Sequence, residues 1–323
     1  MIHGPFELPD EGVVILSNPM KIRHILALGG LLSGLLLAGC SSLQRGAPPT
    51  AAVAPPTPKA EPAPLRVALA LGGGATRGFA HIGVIKALEA HGIQADIVVG
   101  TSAGSLVGAL YAAGYSGFDL QRVALNLEDS AVADWALPDR GFIKGDALQN
   151  FVNRAVQNRP LEKLNKPFAV VVTDLRSGSA VVFRTGNTGM AVRASSSVPG
   201  VFQPVIINGR EYVDGGLVSP VPVRAARELG ADVVIAVDIS SKPQFGRTRD
   251  SVDVLLQTFT IMGQSIARFE LAEAELVIRP DISKLSGTDF DSRHLAILEG
   301  ERAGLAAVPL IRRKIAERTA VRE

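Results

Sequence analysis

The sequence has little of the residues that most often announce a chemistry. It contains one cysteine, Cys40, so no intramolecular disulfide and no cysteine-built metal site can form. Of five histidines, His3 and His24 lie ahead of Cys40, leaving His81, His91 and His294 for the rest of the chain. No cysteine or histidine cluster has ligand spacing, so neither a metal nor a cofactor is expected. With one tryptophan and three tyrosines, the core must be mostly aliphatic. The formal net charge is only +2, and no basic run is interleaved with aromatics, which excludes the usual footprint of a nucleic-acid binder. After Cys40 no apolar run is long enough to span a bilayer. What remains is a chain of 323 residues, 47% hydrophobic and 20% charged, a balance that suits a globular core.

The N-terminal part reads as an address. Met20-Lys21-Ile22-Arg23 is a short basic segment, and residues 25–38 form an apolar stretch too short for a comfortable span. It ends in Leu37-Ala38-Gly39-Cys40, which resembles the lipobox of bacterial lipoprotein signals. That resemblance implies cleavage before Cys40 and acylation of its thiol; several acyl chains anchor stably where one does not. Ser41 resembles the default for sorting to the outer membrane of Gram-negative cells. The expectation is therefore a leader over 1–39 and a lipoprotein of the cell envelope tethered at Cys40. Glu7, Asp10 and Glu11 precede the basic segment, where signal peptides are rarely acidic, which points to Met20 as the translation start. Residues 45–64 are rich in Pro and Ala without apolar periodicity. With Cys40 they form an extended linker, 40–64, ahead of one folded domain at 65–318.

That domain alternates strands and helices. Leu65–Leu71 is a continuous apolar run, the pattern of a strand buried on both faces. A helix is expected over 79–91, a strand over 96–100 and a helix of small residues from Ser102 to Gly114. Further helices are expected at 118–127, 146–157 and 190–197. A strand at 168–173 turns back into 180–184, and Asn208-Gly209 joins strands 203–207 and 211–213 as a hairpin. A helix stopped by Gly230, a strand at 232–239, a long helix at 251–273, a strand at 276–278 and a terminal helix at 294–318 complete the chain. This rhythm predicts right-handed crossovers and a largely parallel sheet in an α/β fold.

Three stretches carry chemistry. Gly100-Thr101-Ser102-Ala103-Gly104 is a G-x-S-x-G between a strand and a helix, a spacing that can expose a serine hydroxyl on a strained turn. It also fits an ordinary glycine-rich turn. Gly72-Gly73-Gly74 follows the first strand and opens a helix, so its amides can converge on an anion. A G-x-G-x-x-G would need glycine where Arg77 stands, and no G-x-x-x-x-G-K-[ST] occurs, so an oxyanion loop fits better than a nucleotide loop. For a base, His294 lies at a helix start without turn chemistry and reads as a surface or capping residue. Asp214 precedes Gly215-Gly216, where a short carboxylate can approach another loop, although the same sequence fits an Asx turn.

As an ordered set these stretches resemble the patatin-like phospholipase family, especially its bacterial members. The matches are residues 72–78 (GGGATRG) with 80–84 (AHIGV), 100–104 (GTSAG), 173–175 (TDL), 194–202 (ASSSVPGVF), 213–216 (VDGG) and 229–232 (LGAD), spanning about residues 66–240. The resemblance implies a three-layer α/β/α sandwich and a Ser–Asp dyad without histidine. In that scheme Ser102 is the nucleophile, Asp214 the base and Gly72, Gly73 and Gly74 the oxyanion hole. Arg77 is similar to the family arginine that supports this loop or binds phosphate. The implied substrate is a phospholipid, lysophospholipid or other fatty acyl ester, hydrolysed through an acyl-enzyme. A carboxylesterase or thioesterase on the same dyad, and a catalytically quiet lipid-binding lipoprotein, are the competing readings. The expected partners are the lipid substrate and the membrane that holds Cys40, with no obligate protein partner evident.

Overall fold

The computed structural model describes residues 64–128, 143–246, 248–282, 285 and 290–322. The expected leader, the expected lipidation site at Cys40 and the expected linker up to residue 63 lie outside the described residues.

The strands are β1 (Val67–Leu71), β2 (Ile97–Thr101), β3 (Phe168–Asp174), β4 (Ala180–Phe183), β5 (Val205–Ile207), β6 (Arg210–Asp214), β7 (Val233–Val237) and β8 (Leu276–Ile278). Between them run α1 (Phe79–Ala90), α2 (Ala103–Ala112), α3 (Gly117–Leu125), α4 (Asp146–Ala155), α5 (Thr188–Ser195), α6 (Val223–Glu228), α7 (Ser251–Leu271) and α8 (Arg293–Arg322). Most boundaries fall within a few residues of the expected ones. Helix α5 begins earlier than its apolar pattern because the Asn187 side chain accepts the Met190 N–H at 2.7 Å and caps it there.

The sheet is mixed but mostly parallel. Strands β3, β2, β1, β7 and β8 pair in parallel, whereas β4 and β6 join β3 antiparallel and β5 continues the β6 hairpin. Strands β1, β2, β3 and β7 are buried along their whole length, as parallel strands covered on both faces must be. Their side chains alternate between two cores. Leu69, Leu71, Val98, Val170 and Ile235 pack under α1–α5 and α8. Ala68, Ala70, Val99, Val171 and Val234 pack against Val223 of α6 and Ala267 and Leu271 of α7. The result is the three-layer sandwich, with a thick aliphatic layer on one side and a thinner, alanine-rich one on the other.

One detail of the register positions the site. Strand β4 occupies one edge of β3 from Val170 to Thr173. The other edge is shared: β2 pairs up to Thr101↔Val171, and β6, running the opposite way, begins at Asp214↔Val172. Two strand ends thus meet head-on along β3, one step apart in register. Ser102 follows the first and Asp214 closes the second.

Candidate active site

Ser102 sits at the N-cap of α2 with φ 52° and ψ −123°. A positive φ is strained for any residue with a Cβ, and it turns the hydroxyl out of the strand–helix junction. The flanking glycines allow that turn. A Cβ on Gly100 would come 2.5 Å from the Ser105 backbone, and one on Gly104 would come 2.1 Å from Leu71 O. The junction is then pinned by hydrogen bonds. Ser102 N–H donates to Ser195 Oγ at 2.8 Å, and Ser195 Oγ–H donates to Val171 O at 2.6 Å. Ser105 Oγ donates to Ser102 O at 2.6 Å, and Thr101 Oγ1 donates to Ser219 O at 2.9 Å.

Ser102 Oγ donates to Asp214 Oδ2 at 2.6 Å, a short bond of the kind made to an ionised acceptor. The other carboxylate oxygen, Oδ1, accepts the Gly216 N–H at 2.7 Å. Both readings of Asp214-Gly215-Gly216 therefore hold together: one oxygen closes an Asx turn, and that turn aims the other at the serine. The Asp214 backbone is held as well, its N–H donating to Ser197 O and its carbonyl accepting Thr173 Oγ1–H. Asp214 is buried, and burial raises its pKa from 3.8 to about 6 against the opposing pull of the Ser102 and Gly216 hydrogen bonds. Among the described residues no histidine is hydrogen-bonded to either group. His294 is exposed on the first turn of α8, its Nδ1 3.1 Å from Asp291 O.

The glycine loop sits where its place after β1 puts it, beside Ser102 on the neighbouring strand. A Cβ on Gly73 would come 3.2 Å from Ser102 Cβ. The set of three expected donors is narrower than anticipated. Gly72 N–H donates to Val237 O at 3.1 Å and Gly73 N–H to Pro220 O at 2.9 Å, so both are committed to the scaffold. These two bonds arise because β7 and the loop before α6 pack against the end of β1, which the local sequence does not announce. His81 adds to the clamp: its buried Nε2–H donates to Gly72 O at 2.8 Å. Burial lowers the His81 pKa to about 4, so the ring is neutral at physiological pH. The Gly72–Gly73 peptide is thus held at both its oxygen and its hydrogen. The following amides, those of Gly74 and Ala75, carry no comparable bond among the described residues. Gly73, Gly74, Ala75, Ser102 and Asp214 all line one cavity of about 610 Å³.

Arg77 lines the same cavity. Its Nε donates to Ile239 O at 3.2 Å, and burial lowers its pKa, although a guanidinium keeps its charge in a protein. Among the described residues no carboxylate lies within ion-pair distance of it.

Sequence reasoning missed Ser195, Ser197 and the clamping role of His81. The first two lie inside a quoted stretch, residues 194–202, but nothing local says which of three consecutive serines faces the nucleophile. A polar residue at an apolar position of α1 was the signal for His81.

Comparisons with known proteins bear on the family and the fold. The family described as patatin-like phospholipase matches residues 69–227, which include the last three residues of β1, the glycine loop, Ser102 and Asp214. Residues 69–227 belong to the patatin-like phospholipase family. A Mycobacterium tuberculosis protein described as an uncharacterized NTE family protein is 36% identical over 193 residues, 58% of this chain and 52% of that one. Patatin-like phospholipase domain-containing protein 6 of Homo sapiens is 36% identical over 186 residues, 55% of this chain and 14% of that protein. The chain thus spans about half the length of the mycobacterial relatives it matches. Among solved structures, VipD from Legionella pneumophila superposes with a TM-score of 0.51 over 75% of this chain and 66% of that one. At 14% identity, that likeness concerns the fold alone.

Proposed function

We propose that this family member is a serine hydrolase of fatty acyl esters, acting on phospholipids or lysophospholipids through a Ser102–Asp214 dyad. The observation that carries the reading is the 2.6 Å bond from Ser102 Oγ to a buried carboxylate inside a cavity large enough for an acyl chain. Asp214 takes the Ser102 proton as Oγ attacks the ester carbonyl carbon. The oxyanion faces the amides of Gly74 and Ala75, the donors the glycine loop leaves open. Collapse of the tetrahedral adduct expels the alcohol, which takes the proton from Asp214 and leaves an acyl-enzyme. Water, deprotonated by Asp214, releases the fatty acid. A pKa near 6 suits that role, since the carboxyl is ionised at neutral pH yet more basic than an ordinary aspartate.

In this scheme Arg77 binds the phosphate of the substrate headgroup. Its Nε braces the loop through Ile239 O, and the residue lines the cavity that holds Ser102. Arg77→Met is expected to lower kcat/KM on phosphatidylglycerol by about 10–100-fold, the loss of one charge-assisted contact, with less than about threefold change on an uncharged nitrophenyl ester. Equal losses on both substrates would make Arg77 a brace for the loop and nothing more. The lipoprotein signal read at Cys40 supports a cell-envelope setting for this reaction, with the domain tethered beside its substrate bilayer.

A fluorophosphonate probe tests the proposal directly. It is expected to phosphonylate Ser102 alone, located by mass spectrometry of tryptic peptides, and to block release of fatty acid from phospholipid vesicles. An intact, folded protein that takes no label, or takes it elsewhere, contradicts the assignment. Labelling without turnover of any lipid, but with turnover of short esters, favours the carboxylesterase reading.

A further inference from the structure

Helix α7 forms one wall of the cavity, yet only Ala267, Glu270 and Leu271, all near its C-terminal end, are buried. That end is fastened by Ser219 Oγ, which donates to Glu270 Oε1 at 2.7 Å. At 3.6 residues per turn the helix divides cleanly in two. Leu256, Gln257, Phe259, Thr260, Gly263 and Gln264 point into the cavity. Val254, Leu255, Ile261, Met262 and Phe269 fall within an opposite arc of about 120°, and each is between 38% and 70% exposed.

This outer arc is unlike the water-facing side of an ordinary surface helix. No residue from Val254 to Ala267 carries a charge. Between Val254 and Phe269 the arc includes two hydroxyl residues, and both turn inward to the helix backbone: Thr258 Oγ1 donates to Val254 O at 2.9 Å and Ser265 Oγ to Ile261 O at 3.2 Å. Such back-bonding satisfies a hydroxyl where water does not. Phe245, half exposed, lines the same cavity, and Lys242 shortly before it and Arg268 on α7 are exposed cations. Among the described residues no helix is long and apolar enough to cross a membrane, so α7 can lie on a bilayer but not traverse it.

We propose that the outer face of α7 seats on a phospholipid bilayer, so that the cavity holding Ser102 opens at the level of the glycerol and acyl groups. The proposal rests on the acyl-ester reading above for its choice of partner. A bilayer, unlike a polar protein surface, asks for apolar side chains, self-satisfied hydroxyls and cations at the margin, and α7 offers all three. Docking there also spares an acyl chain a passage through water between the membrane and the nucleophile.

The lone native cysteine makes the test clean. In the full chain with Cys40→Ser, Met262→Cys or, as a control on α8, Leu305→Cys is labelled with a polarity-sensitive fluorophore. With phosphatidylethanolamine–phosphatidylglycerol vesicles the Met262 label is expected to shift to the blue and to be quenched by doxyl-labelled lipid, while the Leu305 label stays in water. Ile261→Glu combined with Met262→Glu is expected to weaken vesicle co-sedimentation by about tenfold or more, with hydrolysis of a soluble short-chain ester unchanged. A Met262 label that remains water-like in the presence of vesicles overturns the proposal. So does a label already blue-shifted without vesicles, which would mean that a second copy or the segment before residue 64 covers the face. Loss of soluble-ester hydrolysis in the double variant also overturns it, because the face would then serve the pocket itself. The label readout needs no turnover and is repeated on Ser102→Ala, so failure of docking and failure of the hydrolase reading are told apart.

Discussion

Replacing Asp214 by Asn is expected to lower kcat for ester hydrolysis by about 10²–10⁴-fold and, at alkaline pH, to make the protein more stable. The two effects have one cause. Burial raises the Asp214 pKa from its ordinary 3.8 to about 6. A folded-state pKa above the unfolded one means that the folded protein binds the proton more tightly. The stability this contributes is fully present below about pH 4 and is lost as pH rises through about 6. The loss is the difference of about 2 pKa units, or about 3 kcal/mol. The amide of the Asp214→Asn variant has no proton to lose, so the stability gap between variant and wild type should widen in favour of the variant by that amount between pH 4 and pH 8. For a domain of this size the widening corresponds to about 6–12 °C in Tm. Denaturant unfolding of both proteins at the two pH values checks it, and a gap independent of pH would mean that the Asp214 carboxyl ionises at the same pH in the folded and unfolded states. In wild type, kcat/KM should rise with pH through about 6 as the base ionises. A rise centred near 4 would remove the functional meaning of the burial.

Ser102 is the second site of large effect. Ser102→Ala is expected to reduce hydrolysis by on the order of 10⁴-fold or more, since the step that forms the acyl-enzyme has no other nucleophile. Ser102→Gly should be as inactive, but the two variants differ in stability. Alanine keeps the strain of φ 52°, whereas glycine relieves it. The glycine variant is therefore expected to be more stable than the alanine variant by about 1 kcal/mol, measured as a shift in denaturant midpoint at equal m-value. Equal midpoints would show that the junction relaxes once the hydroxyl is gone, and that the hydrogen bond to Asp214 holds the turn.

Taken with the cavity, these two residues explain why the histidines are dispensable in the proposed chemistry. In a triad, an imidazole bridges nucleophile and carboxylate. Here the register along β3 brings the two strand ends so close that the serine hydroxyl reaches the carboxylate directly. His81, the one deeply buried histidine among the described residues, holds the glycine loop.

The alternation of buried strands and helices was legible in the sequence because both cores read the chain locally. Runs such as Val67–Leu71 and Phe168–Val172 are apolar at every position, which only a strand covered on both faces requires. Glycines at 100 and 104, and Asp214 before two glycines, marked the turns where backbones approach closely. From the sequence alone, then, came the fold class, the places where a nucleophile and a carboxylate could stand, and the scarcity of histidine that disfavoured a triad. Tertiary structure alone decided that β2 and β6 share one edge of β3, that Ser195 takes the amide of Ser102, and that Val237 and Pro220 occupy two of the three glycine amides. It also decided that α7 turns an uncharged face outward beside the cavity. The reason is physical: a hydrogen bond between residues more than a hundred positions apart, such as Ser102 to Asp214, depends on how strands are ordered in the sheet. No local pattern of hydrophobicity or turn chemistry encodes that order.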